Sequence, residues 1–285
     1  MLSPLKVRNT YFDWQDIPYI MGIINVTPDS FSDGGEALTI EAALKKAEMA
    51  INAGADIIDV GGESTRPFSQ PLPEDEEIKR VVPVIKAIRE AFPEVVISVD
   101  TYKAKVAELA LKAGADIIND ISGAQFDPAI LDVAREFQCP IVLMHIKGTP
   151  QTMQINPTYE DLFEEIKNYF KKRINFFLEK GISKEKIILD PGIGFGKTFS
   201  HNIEILKKLE TFQEFNCPIL LGPSRKSFIG EITKKPPKER DAGTVGVSIY
   251  AFLKGVHILR VHNVALVADA LKTFKFLWKD FNHWL

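Results

Sequence analysis

Ala53-Gly54-Ala55-Asp56-Ile57-Ile58-Asp59 recurs further along the chain as Ala113-Gly114-Ala115-Asp116-Ile117-Ile118-Asn119. Both copies read alike: a helix ends on a small residue, glycine supplies a left-handed cap, and a β-branched run enters a covered strand. Repetition of helix end, tight turn and buried strand is what stacked β/α units require. Outward from the two copies, short runs rich in valine, isoleucine and leucine occupy 20–25, 57–61, 95–100, 117–120, 141–144, 187–190, 219–222 and 258–261. They are mostly apolar without alternation, as parallel strands covered on both faces should be. Helical spacing fills the intervals at 40–52, 75–91, 103–112, 128–137, 159–179, 202–212, 242–253 and 264–278, with Gly54, Gly114, Gly181 and Gly255 at helix ends. Eight strand–helix alternations predict an α/β fold, a closed (β/α)8 TIM barrel formed as a single domain over 1–285. An open doubly wound sheet would concentrate its glycine loop after the first strand. The residues before the first strand predict a small hairpin across the barrel's amino-terminal mouth.

A chain of 285 residues suits one such barrel. The net charge of -3 gives no electrostatic reason to expect nucleic acid or an anionic membrane as partner, so an anion site must come from local arginines and lysines. No apolar run approaches a membrane span, and the opening Met1-Leu2-Ser3-Pro4-Leu5-Lys6 lacks a signal-peptide core, which points to the cytoplasm. Cys139 and Cys217 each precede a proline at the start of a strand and read as small buried hydrophobes. No His/Cys spacing suggests a metal, and no nucleophile–histidine–acid set stands out.

Polar chemistry gathers where the apolar runs end, which in a barrel is the active rim. The densest string is Asp190-Pro191-Gly192-Ile193-Gly194-Phe195-Gly196-Lys197. Its three alternate glycines are expected to let the backbone approach a flat ligand, while Asp190 faces the mouth. A nicotinamide loop is disfavoured because Gly-x-Gly-x-x-Gly is absent. Asp100 and Asn119 end neighbouring strands and can converge with Asp190. A carboxylate facing two parallel N–H groups forms a bidentate, charge-assisted pair, so this set suits a planar ring bearing donors and acceptors. Arg225 and Lys226 follow the seventh run, Arg66 the second, and Arg260 and His262 flank the end of the eighth; together they suggest an oligophosphate. Asn25, with Asp29 and Asp33 nearby, offers oxygen for Mg²⁺.

Residues 23–35, 61–67, 98–101, 119–123, 190–197, 224–227 and 260–262, in this order across nearly the whole chain, resemble the dihydropteroate synthase family. That family condenses 6-hydroxymethyl-7,8-dihydropterin diphosphate with 4-aminobenzoate, releasing diphosphate and 7,8-dihydropteroate. The resemblance implies that Asp100, Asn119, Asp190 and Lys226 hold the pterin, with Met144 and Phe195 at its apolar faces. It implies Asn25 as the Mg²⁺ ligand and Arg66, Arg260 and His262 as diphosphate contacts. Thr65, Pro67, Phe195 and Ser227 carry over to the aminobenzoate site, and two copies of the chain to a homodimer. Asp100, Asp190, Lys226 and Arg66 are expected to act on the reacting groups. Two positions depart from the family pattern. Phe68 stands where glycine is frequent and is expected to shield the aminobenzoate entrance; Asn263 stands where aspartate is frequent and should still cap the last helix.

Two other readings exist for such a barrel. A methyltetrahydrofolate–corrinoid methyltransferase would use a similar Asp100, Asn119 and Asp190 set without a diphosphate grip, and the 27–35 and 224–227 strings argue against it. A catalytically silent scaffold predicts eroded polar strand ends, and these are intact.

Overall fold

The computed structural model describes residues 2–15, 18–26 and 36–281, the last with backbone alone at 36–39 and 279–281. A short antiparallel hairpin comes first, β1 (Leu5–Val7) with β2 (Thr10–Phe12). The chain then alternates β3 (Tyr19–Asn25), α1 (Glu36–Asn52), β4 (Ile57–Gly61), α2 (Glu74–Ala91), β5 (Val96–Asp100), α3 (Ala104–Ala113), β6 (Ile117–Asp120) and α4 (Ile130–Glu136). It continues through β7 (Ile141–Met144), α5 (Leu162–Glu179), β8 (Ile187–Asp190), α6 (Phe199–Lys207), β9 (Leu220–Leu221), α7 (Ser227–Thr233), α8 (Asp241–Leu253), β10 (Ile258–Val261) and α9 (Val264–Phe281). The eight strands from β3 onward are parallel, in the order β8-β7-β6-β5-β4-β3-β10-β9. A parallel bridge between Leu189 and Ile219 joins the two ends of that order. The sheet is a closed TIM barrel, as the repeats predict.

The runs that look uniformly apolar contain a concealed period of two. Ile58, Val60, Ile97, Val99, Ile118, Ile141, Leu143, Ile187 and Leu189 pack outward into the main core beneath the helices. Met21, Ile57, Val96, Ile117, Val142, Ile188, Leu220 and Ile258 form a second core with Leu5, Val7, Phe12 and Trp14. These are inward residues at the starts of the strands, so the hairpin closes the amino-terminal mouth. Two residues further along five of the strands the inward side chain turns polar: Ile57 gives way to Asp59, Val96 to Ser98 and then Asp100, Ile117 to Asn119, Ile188 to Asp190, Ile258 to Arg260. The barrel interior therefore runs from an apolar floor to a charged rim.

The duplicated motif has a further job at the floor. Asp56 accepts the Ile20 N–H at 2.7 Å, and Asp116 accepts the Ile97 N–H at 2.9 Å, so in each copy the aspartate stitches the incoming strand to its predecessor. Asp116 also pairs with Arg89 at 2.7 Å and with Arg8 of the hairpin turn at 3.0 Å. Glycines 54, 114, 181 and 255 take positive φ at helix ends as expected, and both cysteines are free and buried.

Several boundaries move for local reasons. Asp161 accepts from the Phe163 and Glu164 N–H groups, which starts α5 at 162 instead of 159. The helix expected at 202–212 starts earlier, because Thr198 and His201 form a capping box, and its later part tightens into a 3-10 segment, Leu209–Phe215. The seventh unit holds two helices where the periodicity shows one, α7 and α8. Asp116→Ala would strand two arginines and an N–H at the floor. It should lower stability by about 3 kcal/mol in urea unfolding, with the geometry of the polar rim unchanged because it lies at the opposite end. A loss too small to resolve would show the stitching to be redundant.

Candidate active site

The ladder register assembles the rim. Asp100 pairs beside Asn119 across β5 and β6, Asp190 pairs beside Met144 across β8 and β7, and Gly61 stands between Asn25 and Asp100. One cavity at this end is lined by Thr65, Asp100, Asn119, Met144, Asp190, Phe195, Lys226 and Arg260, all anticipated from sequence, together with Ile121, Gly192, Ile193 and Gly222. Met144 and Phe195 belong to an apolar wall with Ile121, Ile146 and Met153. Lys226 lies with Nζ 4.1 Å from the centroid of the Phe195 ring, a cation–π contact that ties the seventh loop to the sixth.

Burial dominates the electrostatics. It raises Asp100 and Asp190 above the ordinary carboxylate range; Arg260 opposes the shift at Asp100, and the Gly192 N–H and Lys226 oppose it at Asp190. Burial likewise lowers Lys226. Arg260 donates from Nε to Asp59 and from Nη2 to Asp100, each at 2.6 Å. Burial pulls the guanidinium down, and the two carboxylates more than offset it. Asn119 turns its amide NH₂ onto the same Asp59, 3.2 Å from Oδ2.

Other anticipated residues lie around this cavity. Arg66 and Pro67 are exposed on the loop after β4, Ser227 is exposed at the start of α7, and Asn25 ends β3 half-buried. Burial lowers His262 to about 3, with Arg260, Arg225 and Arg66 adding to the effect, so the ring is neutral and bonds Ser224 Oγ through Nδ1 at 2.9 Å. His262 therefore offers a hydrogen bond, not a charge. Asp29 and Asp33, and the 27–35 loop that carries them, lie outside the described residues.

Two sequence expectations need correction. Arg225 is no anion contact: its Nε and Nη2 grip Asp241 at 2.7 and 2.9 Å, which fixes the loop ahead of α7. The glycines after Asp190 serve the protein more than a ligand. Gly192 and Gly196 take φ of +66°, and a Cβ on either would overlap the carbonyl oxygen of His145 or Lys147. They let the sixth loop pack against the loop after β7, where Gly192 also lines the cavity, while Gly194 leaves room for the Lys226 stem. At the departures, Phe68 adopts φ +66° with its ring exposed, a conformation that suits the glycine frequent there. Asn263 accepts the Leu266 N–H at 3.3 Å and so caps α9, while donating to Asp241.

Of the buried polar residues that the sequence did not single out, three bear on the rim and the sixth loop. Asp59 is fully buried under the rim. Its signal was present, since it holds in the first copy of the repeat the position that Asn119 holds in the second. Lys197 and His145 are also buried, with Nζ 2.9 Å from Nδ1 and further bonds to the carbonyls of His145 and Phe195. Burial lowers Lys197 to about 7. This pair fastens the sixth loop from beneath.

Residues 21–262 match the family model described as pterin binding enzyme. The dihydropteroate synthase of Synechocystis sp. is 47% identical over 277 residues, covering 97% of this chain and 96% of the relative. This chain belongs to the dihydropteroate synthase family. Among solved structures, the Yersinia pestis dihydropteroate synthase in a sulfonamide drug complex superposes with a TM-score of 0.91 at 42% identity, covering 97% of this chain and all of that one. The Xanthomonas albilineans dihydropteroate synthase with 4-aminobenzoic acid gives 0.90 at 39% identity, covering 98% and 99%. The enzyme is a transferase of folate biosynthesis on the same barrel.

Gly192→Ala should push the sixth loop off the His145 carbonyl and carry Phe195 with it. A non-glycine residue at this φ costs about 1–3 kcal/mol before the clash is counted. Both thermal stability and pterin affinity should fall. Wild-type values for both would show that the loop has slack.

Proposed function

We propose that the cavity seats the dihydropterin ring with Asp190 and Asp100 accepting from its N–H groups and Asn119 completing the in-plane set. Met144 and Phe195 pack on its faces, and Lys226 donates toward it. The observation that carries this reading is the convergence of two burial-raised carboxylates, an amide and a lysine between apolar walls in one cavity. A guanidine-like ring edge supplies the donors such acceptors need, and each charge-assisted bond is favoured by the water-poor surroundings. Arg66, the free Nη1 side of Arg260 and the neutral His262 would hold the diphosphate. Thr65, Pro67, Phe195 and Ser227 would hold 4-aminobenzoate, the ligand of the Xanthomonas relative.

Cleaving the pterin methylene from diphosphate leaves positive charge that spreads into the electron-rich ring. Asp100 and Asp190 stand at that ring and stabilise the charge as it develops, while the cationic groups stabilise the departing anion. The arylamine is a neutral nucleophile near pH 7, so the chain needs no strong general base for the attack. No group of three or more metal-ligating side chains exists among the described residues. Asn25 offers a single neutral oxygen at the rim, which suits a Mg²⁺ held mainly by the diphosphate and water. When bound there, Mg²⁺ would neutralise charge on the leaving group.

Tyr250, Leu253, Leu266, Phe276 and Leu277 are exposed on α8 and α9, and we take these apolar side chains as support for a homodimer. No helix among the described residues is long and apolar enough to cross a membrane; we place the enzyme in the cytoplasm.

Diphosphate release by the purified protein, dependent on both substrates, tests the reaction. Asp190→Asn replaces an acceptor with a mismatched donor. Losing a charge-assisted bond of roughly 1.5–3 kcal/mol should weaken calorimetric binding of a diphosphate-free pterin at least about tenfold. An unchanged dissociation constant removes Asp190 from the site. Arg260→Ala should spare that ligand less than Arg66→Ala does, because only Arg260 braces Asp100; equal, small effects would contradict the bridging role.

A further inference from the structure

We infer that Asp59, which touches no cavity surface, is a positioning residue that sets the hydrogen-bond polarity of the pterin site by fixing the amide of Asn119 and the fork of Arg260. The inference rests on the pterin reading above.

Asp59 is 0% exposed on β4, one step below the rim. Two side chains converge on it from strands on either side, each one strand removed: Arg260 Nε from β10 at 2.6 Å, and Asn119 Nδ2 from β6 at 3.2 and 3.4 Å from its two oxygens. An amide can present either its oxygen or its NH₂ to a partner, and the two faces differ little in shape. A carboxylate only accepts, so it selects the NH₂ face of Asn119. The Asn119 oxygen is thereby turned toward the cavity that Asn119 lines. With Asp100 and Asp190 it forms a wall of acceptors, and that wall admits a ring edge bearing several N–H groups.

The same carboxylate divides Arg260. With Nε committed to Asp59, the guanidinium gives Asp100 only its Nη2, bound to Oδ2. A bidentate grip on Asp100 would occupy both of its oxygens. Asp59 therefore leaves Asp100 Oδ1 to a ligand. A purely scaffolding carboxylate would support the barrel without deciding which way the Asn119 amide faces; this one is placed to decide it.

Asp59→Asn keeps the volume and removes this control. Its single oxygen would be claimed by Arg260, and its NH₂ would meet the Asn119 amide and favour rotation of that amide. The probes are a 2-aminopterin without diphosphate and its 2-oxo counterpart, which presents an acceptor where the amine was. Wild-type protein should prefer the amine strongly. In Asp59→Asn the preference ratio should fall at least about tenfold, the loss coming from weaker amine binding and stronger oxo binding. Equal weakening of both ligands, with the ratio preserved, would make Asp59 merely structural and overturn the inference while leaving the pterin reading intact. Wild-type protein that fails to discriminate overturns both. If the variant does not fold, neutron diffraction from a deuterium-exchanged crystal of the wild-type enzyme decides the point. Deuterons on the Asn119 nitrogen aimed at Asp59 are expected, and an amide with its oxygen turned that way overturns the proposal.

Discussion

A guanidinium held between two carboxylates is the joint on which the rim depends. Arg260 reaches Asp59 and Asp100 past the intervening β3, linking β10 to β4 and β5 on the inside of the barrel. Ion pairs in such a place are costly to desolvate, and breaking one leaves an uncompensated buried charge. The barrel supports the arrangement because its floor is apolar and plugged by the hairpin, which confines polar groups to one end. Charge is thus concentrated where parallel strands finish and where no backbone ladder competes for its hydrogen bonds.

The remaining acidic groups are under-compensated by design of the register. Asp59, Asp100 and Asp190 face Arg260 and Lys226 at the rim, with Lys197 beneath Asp190 weakened by its own burial to about 7. Asp100 and Asp190 sit above their ordinary range mainly because burial removes water from them. Such carboxylates gain most from a ligand that brings its own donors. The same feature that destabilises the empty rim would, in the proposed site, favour a pterin edge over water.

Much of this was legible in the sequence. The eight apolar runs and the repeat of residues 53–59 at 113–119 carried the barrel, because covered parallel strands need little besides β-branched residues and a glycine-capped helix end. Asp100, Asn119, Asp190, Lys226 and Arg260 were legible because strand ends of a barrel share a rim. Asp59 was passed over although the repeat aligns it with Asn119, because every residue of β4 is buried and the run shows no inward–outward alternation. Arg225 was misleading, as only the fold reveals Asp241 within reach of it. The packing role of Gly192 and Gly196 was not legible because their crowding comes from the loop after β7, distant in sequence, although Gly192 does line the cavity. The short α7 escaped because it has no side-chain cap and spans only seven residues, too few for a periodic signal.

Burial raises Asp100 and Asp190 above the ordinary carboxylate range, and a ring that brings N–H donors favours their ionised form. Calorimetry of a diphosphate-free pterin at pH 6.5, repeated in buffers of different ionisation enthalpy, counts the protons exchanged on binding. Binding N–H donors favours the carboxylate form, lowers its pKa and must expel protons at a pH near the raised value. Net proton release is expected, shrinking as the pH is raised and the free site ionises on its own. Binding with no proton release, or with uptake, would contradict it.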